Sequence, residues 1–474
     1  MLRMKSPRNS LHLALLKAHT PVRSLLGSGL HPPFQRGLMN LQRILLAAVV
    51  LALSFLAAKP AAAAHRVSLQ SQQTPPASGT SSAPATVAQS QPPSAPRITK
   101  YTLPPDRYQK AHNLAKIHFR LALISFVYGL VVLWLILRWK VSGKYRTLAE
   151  SKFSKRSLQA LIFSPLIILT VDVLELPTGI YQNWVSRQYG LSVQGWGSWF
   201  WDWSKGEIIS IILSIILIWL LYAVIRKSPR RWWFYFWLVS LPILLLVYFL
   251  QPLVIDPLFH KFEPLQQKDP ALTASLEKLA HTAVDAYVTG FGASKRIVVL
   301  DTTIARATTP QIVFVAGHEM GHYVLGHIPK LLAFFAALLL VFSYLVYRSI
   351  GWLLARSGAK WKVRSVDDWA SLPALLFLFS IFFFLASPIG SAFSRYVEHQ
   401  ADRYGLEVTH GLTPDSSQVA AQTFQILGDV DLRDPEPNPV DVFLFYRHPP
   451  IPDRVQFALT YDPWSHGGTG EFVK

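Results

Sequence analysis

Long uninterrupted apolar runs dominate the hydrophobic pattern, where a soluble domain would show short alternations. Six runs, at about 117–137, 157–179, 207–225, 232–250, 331–354 and 371–390, each approach the roughly 20 residues a helix needs to cross a bilayer. The third and fourth are separated only by Arg226-Lys227-Ser228-Pro229-Arg230-Arg231, which predicts a tight helical hairpin. An earlier apolar run, Ile44 to Ala58, follows Arg43 and leads to the small residues Ala61–Ala64. Read from a start at Met39, that is the layout of a secretory signal; an uncleaved first membrane helix is the alternative. Residues 1–38 carry Lys and Arg but no acidic residue, and 65–97 are rich in Ser, Pro, Gln, Thr and Ala, the composition of a flexible linker.

The pattern therefore predicts six parts and no internal repeat. They are a basic extension with signal or anchor (1–64), a linker (65–100), a four-helix membrane region (101–250), a polar block (251–330), a transmembrane hairpin (331–390) and a second polar block (391–474).

Composition sharpens this picture. Hydrophobic residues make up 51% and charged residues only 15% of the 474, against about 25% charged in soluble domains. The net charge of +19 does not point to nucleic acid, which would call for a folded basic face with interleaved aromatics. The cations sit instead in the N-terminal stretch and in short runs between apolar segments. Three loops carry them: 138–156 with Arg138, Lys140, Lys144, Arg146, Lys152, Lys155 and Arg156; 226–231; and the stretch with Arg356, Lys360, Lys362 and Arg364. The positive-inside rule places all three on the cytoplasmic face. Alternation then puts the linker, loop 180–206 and both polar blocks on the other side, in agreement with an exporting signal. Asp172 and Glu175 fall in or near the second segment, facing protein or water if they lie in the bilayer, or interfacial if the segment ends near Val171. Trp196, Trp199, Trp201 and Trp203 suit an interfacial belt.

Cysteine is absent, which removes disulfides, thiolate metal sites and a thiol nucleophile together. Any metal must be held by His and carboxylate. His318-Glu319-Met320-Gly321-His322 is H-E-x-x-H. Four residues apart on a helix share a face, so both histidines can meet one ion while Glu319 stands beside them to take a proton from the attacking water. Zinc lowers the pKa of its bound water towards ~7. A catalytic zinc takes a third protein ligand. His327 does not fit the metzincin spacing. Glu398 does better, in Ser394-Arg395-Tyr396-Val397-Glu398-His399-Gln400-Ala401-Asp402, with Asp402 one turn on to orient a ligand histidine. The plain alternative is a solvated helix face with Glu398 and Asp402 paired to Arg395 and Arg403.

These motifs resemble the Ste24-type CAAX prenyl proteases, the M48 zinc peptidases, over residues from about 100 to 460. H-E-M-G-H-Y-V-L-G-H (318–327) is similar to the family's first zinc helix, and S-R-Y-V-E-H-Q-A-D (394–402) to its S-R-x-x-E-x-x-A-D helix. Further likenesses are Tyr181 to Gly190, Asp256 to Phe262, and Tyr446 to Arg454, which resembles an H-P-x-x-x-x-R element. The resemblance implies one zinc per chain on His318, His322 and Glu398, with Glu319 as base and Asp402 as a helper or proton donor. It implies substrate or oxyanion contacts for His448 and Arg454, and helices enclosing a large chamber. The implied fold is mainly α: a polytopic membrane protein with an α+β zincin-like catalytic domain and a small β-hairpin. Asp285-Ala286-Tyr287 through Asp301 reads as that hairpin from its alternation and Gly-rich turn. In the family its edge strand grips the substrate as an added strand, which gives Asp285 and Tyr287 a substrate-binding role. Asp285 stands where the family has Asn, and an ionised carboxylate only accepts hydrogen bonds. That departure bears on substrate preference and leaves the zinc chemistry intact.

The expected partners are the lipid bilayer and a peptide or membrane-anchored protein substrate. Cleavage could serve CAAX-type processing or quality control of membrane proteins, and the extracytoplasmic placement favours the latter. A non-enzymatic scaffold or conduit keeping zinc for structure is the rival reading; Glu319 speaks against it.

Overall fold

The computed structural model describes residues 12–17, 97–251, 254, 258, 261–284, 296–300 and 304–473. The signal or anchor, most of the linker, and Asp285 and Tyr287 lie outside the described residues. In chain order the helices are α1 (Pro105–Arg138), α2 (Val141–Lys152), α3 (Arg156–Gln188), α4 (Trp196–Lys227), α5 (Trp232–Leu250), α6 (Leu265–Lys268), α7 (Pro270–Val284), α8 (Thr309–Val324), α9 (His327–Trp361), α10 (Leu372–Thr409), α11 (Ser416–Val430), α12 (Pro439–Phe445) and α13 (Ile451–Thr460). The three strands are β1 (His12–Lys17), β2 (Lys261–Pro264) and β3 (Arg296–Leu300), in the order β2-β1-β3. β1 runs antiparallel to β2, with Ala14 opposite Pro264, and parallel to β3, with Ala14 opposite Val298. β3 covers the residues expected as the second strand of the hairpin; those of the first fall outside the described residues.

Among the described residues, six helices are long and apolar enough to cross a membrane: α1, α3, α4, α5, α9 and α10. Each coincides with one apolar run of the sequence. Their inward faces bury Ile136, Phe163, Ile218, Tyr222, Phe236, Val346 and Phe379 in one core. Ile124, Trp352 and Leu385 point outward, each more than 60% exposed, a pattern unfavourable in water and suited to acyl chains. α3 does not stop at Val171. It continues through Pro177 to Gln188, and Glu175 packs over Gly129 of α1.

The three cationic loops gather at one end of the bundle. Arg146 of α2 is buried and donates to Asp368 (2.7 Å) and to the Lys362 carbonyl (3.0 Å), while Arg226 donates to the Asp367 carbonyl. Asp368 also accepts the backbone N–H groups of Arg364 and Ala370. One carboxylate thus ties α2 to the α9–α10 turn.

The other end carries the polar blocks. Residues 98–102 run along α11, where Gln418 and Gln425, two turns apart, each grip one residue's N–H and C=O, those of Ile98 and Thr102. α1 then begins well before its apolar run, because its first turns face the second polar block. Arg107 pairs with Asp429 and His112 with Asp434.

Candidate metal centre

Two helices build the site, and glycine lets them meet. α8 starts with a capping box, in which Thr308 and Gln311 exchange hydrogen bonds between side chain and backbone. It packs across α10 and α11. A Cβ on Gly321 would meet Tyr404 at 3.0 Å, and one on Gly405 would meet the His318 backbone at 3.1 Å. The helix axes can approach that closely only with hydrogen at these positions. α10 is continuous from Leu372 to Thr409, so the expected boundary at 390 falls inside it. Glu398 and Asp402 therefore ride on the C-terminal part of a membrane helix, with no linker to blur their position.

His318, His322 and Glu398 converge. Their donor atoms lie 3.3 Å (His318 Nε2 to His322 Nε2), 3.4 Å (His318 Nε2 to Glu398 Oε2) and 3.8 Å (His322 Nε2 to Glu398 Oε1) apart. Three ligands about 2.0–2.1 Å from a tetrahedral metal stand roughly 3.3 Å from one another, so the triangle has the right size. Glu398 Oε2 is buried and faces the ring nitrogens of His318 and His448. The residues fit a zinc ion.

The surroundings hold this set in place. Asp402 is fully buried; its carboxylate accepts from His318 Nδ1 at 2.8 Å and from Arg454 Nε and Nη2 at 2.8 and 2.5 Å. Arg454 is buried as well and lies over the Phe424 ring. His448 Nδ1 stands 2.8 Å from Glu398 Oε2. Arg395 and Arg403 are not paired with Glu398 and Asp402. Arg395 donates to the carbonyls of Val442 and Tyr446, which positions the segment carrying His448, and Arg403 pairs with Glu471. The plain reading of this helix face thereby fails: its arginines are engaged elsewhere. A cavity of about 120 Å³ opens beside His448 and Arg454, walled also by Leu114, Asp441, Phe445 and Tyr446.

Electrostatics follow from this packing. Burial alone would lower His318, but the carboxylates of Asp402 and Glu398 outweigh it and raise the ring to about 10. Burial and the neighbouring His318 push His322 down to about 3. Glu319 is open to solvent yet crowded by protein mass. That crowding raises its carboxyl above the ordinary carboxylate value, while His318, His448 and Arg454 pull the other way. A carboxylate so raised is a stronger base.

Sequence reasoning named the three converging residues, Glu319 and Asp402. It considered His327 only as a ligand and set it aside.

Comparison with known proteins adds independent findings. Residues 86–261 match the family model described as CAAX prenyl protease N-terminal, five membrane helices, and residues 265–462 match peptidase family M48. The uncharacterised metalloprotease YhfN of Bacillus subtilis is 33% identical over 341 residues, spanning 67% of this chain and 77% of that protein. CAAX prenyl protease 1 of Saccharomyces cerevisiae is 23% identical over 412 residues, 77% of this chain and 88% of that one. The crystal structure of S. mikatae Ste24p shares the fold, with a TM-score of 0.62 at 21% identity over 75% of this chain and 89% of that chain.

Proposed function

The chain belongs to the M48 metallopeptidases of the Ste24 type, a membrane-embedded metalloprotease, and from that premise we propose that it cuts extended peptide segments at the membrane with His318, His322 and Glu398 holding one zinc ion and Glu319 as general base. The triangle of donor atoms carries this reading, because its edges suit a tetrahedral metal. The zinc, when bound, polarises the scissile carbonyl and acidifies the attacking water. Glu319 takes the proton from that water and passes it to the leaving amine. His448, held by Glu398 at the mouth of the cavity, supplies a hydrogen bond to the developing oxyanion. Arg454 acts through Asp402, to which its Nε and Nη2 donate. Asp285 and Tyr287 bind the substrate backbone. In the test, 1,10-phenanthroline should abolish hydrolysis of casein by the purified protein, and about one equivalent of zinc should restore it. Chelator-resistant hydrolysis would overturn the assignment.

The charge pattern supports a catalytic end that faces away from the cytoplasm. The three cationic loops meet at one end of the bundle, and Leu191 of loop 180–206 packs with Leu432 of the catalytic block at the other. That placement favours exported or membrane proteins as substrates over the prenylated tails named for the yeast relative. The chain has no cysteine, so single introduced cysteines report without background. Ser465→Cys should react with a membrane-impermeant maleimide in intact cells or spheroplasts, and Ser151→Cys only after lysis. The reverse pattern would place catalysis in the cytosol and restore prenylated tails as candidates.

A further inference from the structure

His327 is fully buried at the start of α9, just after Gly326, whose φ of 63° breaks the path from α8. It touches the ligand set from outside. Its Nδ1 lies 3.0 Å from Nδ1 of His322, and its Nε2 lies 3.2 Å from Gln400 Oε1. Gln400 Nε2 in turn donates to the Tyr396 hydroxyl at 3.1 Å. Two ring nitrogens at 3.0 Å must be one donor and one acceptor. Gln400 Oε1 can only accept, so His327 carries its proton on Nε2 and offers a lone pair at Nδ1. His322 must then carry its proton on Nδ1, which leaves the lone pair of Nε2 facing His318 and Glu398. The opposite order, with the Gln400 amide reversed, would put a proton on His322 Nε2 and destroy it as a ligand.

We propose that His327, backed by Gln400, is a positioning residue that fixes the tautomer and ring orientation of His322 for metal binding, as Asp402 does for His318. The inference rests on the zinc reading above. The two ligand histidines are thus supported differently: His318 by a buried carboxylate that is itself held by an arginine, His322 by a neutral imidazole and an amide. A neutral support keeps a second negative charge away from Glu398, which already contributes one. Losing such a partner typically costs 10–100-fold in metal affinity.

The test measures zinc affinity of the purified full-length protein by chelator competition. His327→Phe fills the space without a nitrogen and should weaken zinc by about 10–100-fold. His327→Asn can place an amide oxygen near the lost Nδ1 acceptor and should recover most of that affinity. Gln400→Leu keeps the ring but removes its anchor, and should fall between wild type and His327→Phe. The ordering of these variants, not any loss of hydrolysis, is the signature, and saturating zinc should restore turnover in all of them. Equal affinities for wild type and His327→Phe would overturn the proposal, as would equal losses for the Phe and Asn variants, which would reduce His327 to packing. If His327→Phe does not fold, wild-type affinity in Gln400→Leu overturns it. Failure of the wild type itself to bind zinc would sink the underlying metal reading, and it is visible before any variant is made.

Discussion

Glu319→Gln should abolish peptide hydrolysis, by about 10²–10⁴-fold, while the purified protein still carries its zinc. The two halves of this expectation come from different features of the site. The metal should stay, because the three donor atoms that converge belong to His318, His322 and Glu398 and Glu319 is not among them. The rate should collapse, because glutamine keeps the shape and polarity of the side chain but cannot accept the proton of the attacking water. No neighbour can substitute. Asp402 is enclosed by His318 and Arg454, and Glu398 is turned towards the ligand histidines. Glu319→Asp keeps the base but withdraws it by one methylene, and should fall between the two, since misplacement of about 1 Å can cost 10²-fold. Metal content and single-turnover cleavage, measured on the same preparations, check this. Full activity in Glu319→Gln would remove it from the mechanism, and loss of zinc in that variant would make it a ligand.

How much of this was legible in the sequence differs from part to part. The six apolar runs located the six long helices because length and hydrophobicity are local properties. Helix ends were not legible where tertiary contacts set them. α1 begins at Pro105, ahead of the run at 117, since its first turns are paired with Asp429 and Asp434, more than 300 residues away. α10 runs unbroken past 390 because a polar stretch packed on α8 is as good a helix as an apolar one. The H-E-x-x-H pair was readable from a four-residue spacing on one helix. The match of Glu398 to it needed a second motif, and the close crossing at Gly321 and Gly405 that joins them is invisible in either segment alone. His327 shows the limit most clearly. Its spacing rightly removed it as a ligand, but five residues on from His322 it shares no helical face with it. Only the left-handed Gly326 turns it back to its neighbour.

Asp402→Ala should be among the most damaging single changes in the chain, and for two separable reasons. The first is charge. Arg454 is buried and donates through two nitrogens to the Asp402 carboxylate. Removing one partner of such a pair strands the other, a cost of about 3–5 kcal/mol, large against the stability of any folded domain. The second is orientation. His318 loses the acceptor for its Nδ1 proton, and zinc affinity should fall by about 10–100-fold. Adding Arg454→Met separates the effects. The double variant buries no unpaired charge and retains an apolar contact over Phe424, so thermal unfolding in detergent should return most of the way to wild type. Zinc binding should not return, because nothing in the double variant accepts from His318. Asp402→Asn tests the orientation alone, since its amide oxygen can still accept from His318 while the charge opposite Arg454 is gone; it should keep zinc better than Asp402→Ala and unfold nearly as early. If stability and zinc affinity instead rise and fall together across the three variants, Asp402 acts only by holding the fold, and its place beside His318 contributes nothing of its own to the metal centre.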